Sequence, residues 1–99
     1  VDDGRSIPEW AGRRRADALE RVRAEGARTR AVCVLCQLPI DYSLRYPHPQ
    51  SCSVQHLLSR RRFPELTWEP SNMGPAHLDC NKSAGPDAAG VPDLGVSAW

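Results

Sequence analysis

A chain of 99 residues with a net charge of +1 is small enough for one domain, and too nearly neutral for overall charge alone to argue for a polyanionic partner. With one Phe, one Met and two Ile, it is short of the large apolar side chains that let a small domain hold itself together, so a staple is expected. Nothing in it reads as a signal peptide or a membrane span; the expected compartment is the cytoplasm, where thiols stay reduced and four cysteines serve better as metal ligands than as disulfides.

Residues 1–8 read as a loose arm ending in Ser6-Ile7-Pro8. From Pro8 to about Ala24 the pattern predicts a helix, with Pro at its start, Glu9 in the first turn and Gly26 as its stop. Ala18, Leu19 and Val22 share one face of it, so residues 1–30 form an arm and an amphipathic helix. The stretch "AVCVLCQLPI", residues 31–40, predicts a short strand entering a tight turn at the cysteine pair. Residues 41–52, with two prolines and two tyrosines, predict an ordered loop. "CSVQHLL" predicts a short strand with Val54 inward and His56 near its end. "SRRRFPELTWEPS" is a long loop containing Pro64 and Pro70. "NMGPAHLDCNKSAG" predicts a short helix starting near Pro75 or Ala76 and stopped by Gly85-Pro86. Residues 31–85 thus make the core, and 86–99 an extended tail in which Trp99 docks.

The staple is legible in the spacing. Cys33-Val-Leu-Cys36 is a C-x2-C pair, and His77-Leu-Asp-Cys80 is an H-x2-C pair. Each spacing lets one turn of backbone aim two side chains at a single ion, and zinc takes four such N/S ligands in a tetrahedron. A knuckle at a strand tip plus a pair at a helix start predicts a treble-clef-like structural zinc site. The competing readings are a buried thiol pair and a redox C-x-x-C, the latter lacking its βαβ surroundings. Cys52 is left over as a small buried apolar residue.

Arginine supplies 12 of the 13 basic residues and clusters at Arg13–Arg15 and Arg60–Arg62. Either run suits bidentate phosphate contact, and either is equally readable as a solvated face.

Taken in order, "CVLCQLPIDY", "YPHP", "SVQH" and "SNMGPAHLDCNKSAG" resemble the HNH endonuclease family, especially its small phage and actinobacterial members. The resemblance covers about residues 30–85, and more weakly a tail ending in "SAW". It implies an α+β fold: a small ββα-metal, treble-clef-like HNH domain with an N-terminal helix and a structural zinc. His56 would be the general base, a role that suits a neutral imidazole. Asn72 matches the middle asparagine that braces the loop orienting the base. Asn81 would give a carbonyl oxygen to a catalytic Mg2+ or other divalent ion, and Arg60, Arg61 and Arg62 would meet the DNA backbone. The cellular setting implied is a bacterial or phage-infected cell, with DNA as partner and a phage packaging complex or other protein as a further one.

One position departs from the family. Gln55 stands where the family carries the aspartate that ligates the catalytic ion. A glutamine carbonyl can ligate a hard cation but brings no charge, so metal affinity is expected to fall. Asp79, Glu65 or Glu69 could supply the carboxylate, though no spacing rule places them there. Strand alternation would also aim Gln55 away from His56. The leading expectation is a metal-dependent DNA endonuclease attenuated by Gln55; the alternative is a non-cleaving, zinc-stapled module that binds DNA or protein.

Overall fold

Ala18, Val22 and Gly26 recur every fourth residue and form the buried stripe of the first helix, α1 (Gly12–Thr29), whose other faces are charged. The computed structural model describes residues 7–84. The arm residues 1–6, Gly85 and the tail with Trp99 lie outside the described residues, and so do the expectations made for them.

Helix α1 differs from its sequence forecast at both ends. It starts at Gly12 rather than Pro8, because the preceding segment is drawn into tertiary contacts. The Pro8 carbonyl accepts from the Arg60 guanidinium at 2.9 Å, and Trp10 stacks on Trp68 with ring centroids 4.6 Å apart. Ala11 is accordingly extended, at φ −160°. At the other end, Gly26 is a packing position and not a stop. A Cβ there would lie 2.5 Å from the Tyr42 hydroxyl and almost as close to its ring. The Tyr42 side chain is held in that place by its hydrogen bond to the Ala31 carbonyl, 2.7 Å. The helix runs on to Thr29 and closes at Arg30, which takes the left-handed conformation and returns its N–H to the Gly26 carbonyl.

Strands β1 (Cys52–His56) and β2 (Met73–His77) pair antiparallel, with Cys52 opposite His77 and His56 opposite Met73. The second strand overturns the expectation of a helix from Pro75 or Ala76; α2 begins at Leu78 and spans Leu78–Ala84. Pro75 reads locally as a helix start. Here it lies opposite Val54, and its carbonyl accepts from the Val34 N–H at 3.0 Å, so pairing on β1 and on the cysteine turn overrides the local signal. Residues 31–40 form less than the expected strand, a single bridge between Val32 and Pro39 flanking the turn at the cysteines. The loop 57–72 carries two 3-10 turns, Pro64–Leu66 and Pro70–Asn72.

The protein is thus a small α+β fold of two helices and one two-stranded sheet among the described residues. Helix α2 has its first N–H groups capped by backbone: Leu78 donates to the Ser51 carbonyl and Asp79 to that of Pro49. The buried apolar side chains are Ala18, Val22, Cys33, Ile40, Cys52, Met73 and Ala76. None of these fully buried residues is Leu or aromatic; Trp10, Leu35, Tyr42 and Trp68 pack against them only partly buried, which leaves a small core. Cys52 is an apolar filler as expected, its thiol pushed up to about 11 by burial. No helix among the described residues is long and apolar enough to cross a membrane.

Candidate functional site

Cys33, Cys36, His77 and Cys80 come together, with one ligand atom from each lying within 4.8 Å of the others. The turn after Cys33 is fixed by the Gln37 N–H on the Cys33 carbonyl and by left-handed Gln37, φ 67°. His77 ends β2 and Cys80 lies in the first turn of α2, so the sheet and helix deliver the second pair. His77 Nε2 donates to the Pro39 carbonyl at 3.0 Å. A carbonyl can only accept, so the proton sits on Nε2 and the Nδ1 lone pair faces Cys36 Sγ at 3.4 Å and Cys80 Sγ at 3.7 Å.

Burial opposes a thiolate at Cys33, but the backbone N–H groups of Cys36, His77 and Leu35 outweigh it and bring the thiol down to about 7. Cys80 is pushed up to about 12, first by burial and then by its sulfur neighbours. Three thiols this close cannot all ionise without a cation among them. These four residues lie close enough to hold a metal ion, and a donor set of three sulfurs and one imidazole nitrogen is consistent with structural zinc.

A second centre is a cleft of about 280 Å³ between the start of α1, the loop before β1, β1 itself and α2. His56 and Gln55 both line it and both are buried. All five residues of β1 line the cleft, with Gln55 opposite Gly74 and His56 opposite Met73 in the sheet. His56 Nε2 donates to the Thr67 carbonyl at 2.8 Å, which leaves the Nδ1 lone pair as the ring's basic atom. Trp10 meets the imidazole edge-on at 4.5 Å. Burial lowers the His56 pKa from its ordinary value, the Thr67 bond partly restores it, and the nearby Arg60 charge lowers it further. The imidazole is therefore neutral at pH 7.

Gln55 gives its Nε2 to the His56 carbonyl at 3.2 Å, while its Oε1 is buried without a partner. Asn81 uses both amide hydrogens, on Ser53 Oγ at 3.0 Å and the Val54 carbonyl at 2.8 Å, so its Oδ1 is the atom left for a ligand. Among the described residues no carboxylate lines the cleft, and its fixed charges are Arg15 and Arg60.

The chain matches no protein-family model, no curated protein and no solved structure.

The sequence-based residues distribute as follows. Asn72 does not line the cleft; it braces the loop beside it, accepting from Leu58 N–H at 2.7 Å and donating to the Leu58 and Leu66 carbonyls at 3.1 and 3.2 Å. Because Leu66 precedes Thr67, the brace leads to the carbonyl that holds His56. The arginine run splits, with Arg60 in the cleft wall and the backbone N–H groups of Arg61 and Arg62 on Ser59 Oγ. None of Asp79, Glu65 and Glu69 reaches the cleft, and Glu69 caps Ser71 instead. Sequence reasoning passed over Trp10, Tyr46 and Ser51 as cleft residues, and left Arg15 in a generic basic run. Only the two arginine clusters hinted at it, since the cleft is where Arg15 and Arg60 converge.

Proposed function

We propose that this domain is a metal-dependent DNA endonuclease of the HNH type, a ββα-metal fold stapled by zinc on Cys33, Cys36, His77 and Cys80. The observation that carries the reading is His56: a buried, neutral imidazole with its Nδ1 lone pair free, set in a cleft with two arginines and two amide side chains. The order β1, braced loop, β2, α2 supports it, with His56 ending β1, Asn72 on the loop and Asn81 on α2.

His56 Nδ1 takes the proton of the water that attacks the phosphodiester. The Thr67 carbonyl on Nε2–H steadies the imidazolium that results, and Asn72 keeps that carbonyl in place through Leu66. Arg60 and Arg15 meet the non-bridging phosphate oxygens. The residues fit a divalent ion in kind, since Gln55 Oε1 is a buried oxygen lacking any partner and Asn81 retains Oδ1. When bound there, Mg2+ or a similar ion supplies polarisation of the phosphate and stabilisation of the leaving 3′ oxygen. Both ligands are neutral, so affinity is lower than at a site with a carboxylate. A cleft lined by no carboxylate among the described residues also favours a second reading, a zinc-stapled module that binds nucleic acid without cutting it.

Nicking of supercoiled plasmid by the zinc-loaded protein, titrated with Mg2+ or Mn2+, tests the choice. His56→Ala should lower the rate about 100-fold or more. Gln55→Asp should nick at lower metal concentration, with the gap closing as metal is raised. A parent protein that binds DNA but never nicks it establishes the second reading. A His56→Ala variant as fast as the parent removes His56 from the role of base.

A further inference from the structure

Three buried side-chain polar atoms among the described residues lack a hydrogen-bond partner: Ser51 Oγ, Gln55 Oε1 and Arg60 Nε. All three residues line the same cleft. Unpaired buried groups are few in folded proteins, and their concentration in one wall points to a ligand that completes them. Their chemistry is mixed. Gln55 Oε1 needs a donor, Arg60 Nε needs an acceptor, and a hydroxyl takes either.

The charges of the cleft are one-sided. Neither Arg15 nor Arg60 pairs with a carboxylate among the described residues, and no acidic side chain lines the walls. At the same cleft, Tyr46 is 70% exposed, the most exposed large apolar side chain among the described residues. An aromatic face beside arginines that have no carboxylate partner is how sequence-tolerant proteins take up unpaired bases. A volume of about 280 Å³ is on the scale of one nucleotide, and a base stacked and paired in a duplex cannot enter without being extruded.

We infer that the cleft takes one nucleotide of a single-stranded nucleic acid, its phosphate between Arg15 and Arg60 and its base against Tyr46, without needing a divalent ion. This is a binding property, and it holds whether or not the domain cleaves. A nucleotide offers what the walls lack, acceptor oxygens for Arg60 and an N–H or hydroxyl donor for Gln55. The two guanidinium groups supply the positive charge that neutral Gln55 and Asn81 do not.

The test is fluorescence anisotropy with zinc-loaded protein, no added Mg2+ or Mn2+, and two probes: labelled oligothymidine and the same strand annealed to oligoadenine. The single strand should bind about tenfold tighter than the duplex. Tyr46→Ala should weaken single-strand binding about tenfold while Tyr46→Phe retains it, because the ring face is what stacks. Arg15→Gln, an exposed substitution, should weaken binding and reduce the salt dependence by about one ion. Circular dichroism checks that each variant is folded; Tyr46 and Arg15 lie at the surface, where substitution leaves the core intact. Duplex binding as tight as single-strand binding, no binding to either probe, or unchanged affinity in Tyr46→Ala overturns the inference. Since no divalent ion is added, failure here and failure of the nuclease reading are separate results.

Discussion

Removing the Asn72 side chain should damage this protein more than its size suggests. The residue is only 5% exposed, and its amide makes three hydrogen bonds, one accepted from Leu58 N–H and two donated to the Leu58 and Leu66 carbonyls. At about 1 kcal/mol net each, the three sum to about 3 kcal/mol, and Leu58 N–H and two carbonyls are left partly shielded from water. Asn72→Ala should therefore lose about 2–4 kcal/mol, a large share of the stability of a small domain. Denaturant unfolding at saturating zinc measures this, the metal held constant because its binding is linked to folding. The midpoint should fall with the slope unchanged. Asn72→Asp is the sharper variant. It keeps an acceptor for Leu58 N–H but sets a carboxylate oxygen against two carbonyls, so at neutral pH it should be at least as damaging as alanine. Acidification should partly rescue it relative to Asn72→Ala, because the protonated acid can donate again. A loss below about 0.5 kcal/mol for Asn72→Ala, or parental stability for Asn72→Asp at pH 7, refutes the claim that this amide braces the loop.

Cys36→Ser, or a strong chelator, should unfold the domain cooperatively, since the metal's binding energy serves as folding energy in a core this poor; an unchanged melt in a verified metal-free sample contradicts that. Gly26→Ala should lower stability by about 1–3 kcal/mol despite alanine's better helix propensity, because its Cβ would collide with the Tyr42 ring, and a raised melting temperature refutes it. The pH dependence of His56 has a definite sign. Its folded pKa lies below the unfolded value near 6.5, so the unfolded chain binds the proton first. Its contribution is therefore intact above pH 6.5 and is lost as pH falls toward the folded pKa. The parent should lose stability over that window relative to His56→Gln, compared at equal zinc saturation so that the metal ligands cancel. Parallel curves for the two proteins refute it.

The amino-acid sequence by itself determined the cluster of Cys and His side chains that lie close enough to hold a metal ion. Two x2 pairs of Cys and His constrain their side chains within a single turn each, so local spacing suffices to name Cys33, Cys36, His77 and Cys80. The stripe Ala18–Val22 and the strand carrying His56 were likewise legible, because periodicity is a local property. The helix limits and the second strand were decided by tertiary structure. Gly26 and Pro75 carry the local signs of a stop and a start, but a tyrosine sixteen residues away packs on one and strand pairing recruits the other. The cleft belongs wholly to the tertiary level. Its members come from the start of α1 and the residue before it, the loop before β1, β1, the segment after it and α2, so no window of sequence contains Trp10, Arg15, Tyr46, Ser51, Gln55 and Asn81 together. That Gln55 and His56 are both buried, and that none of Asp79, Glu65 and Glu69 lines the cleft, depends on how the chain folds, which spacing cannot specify.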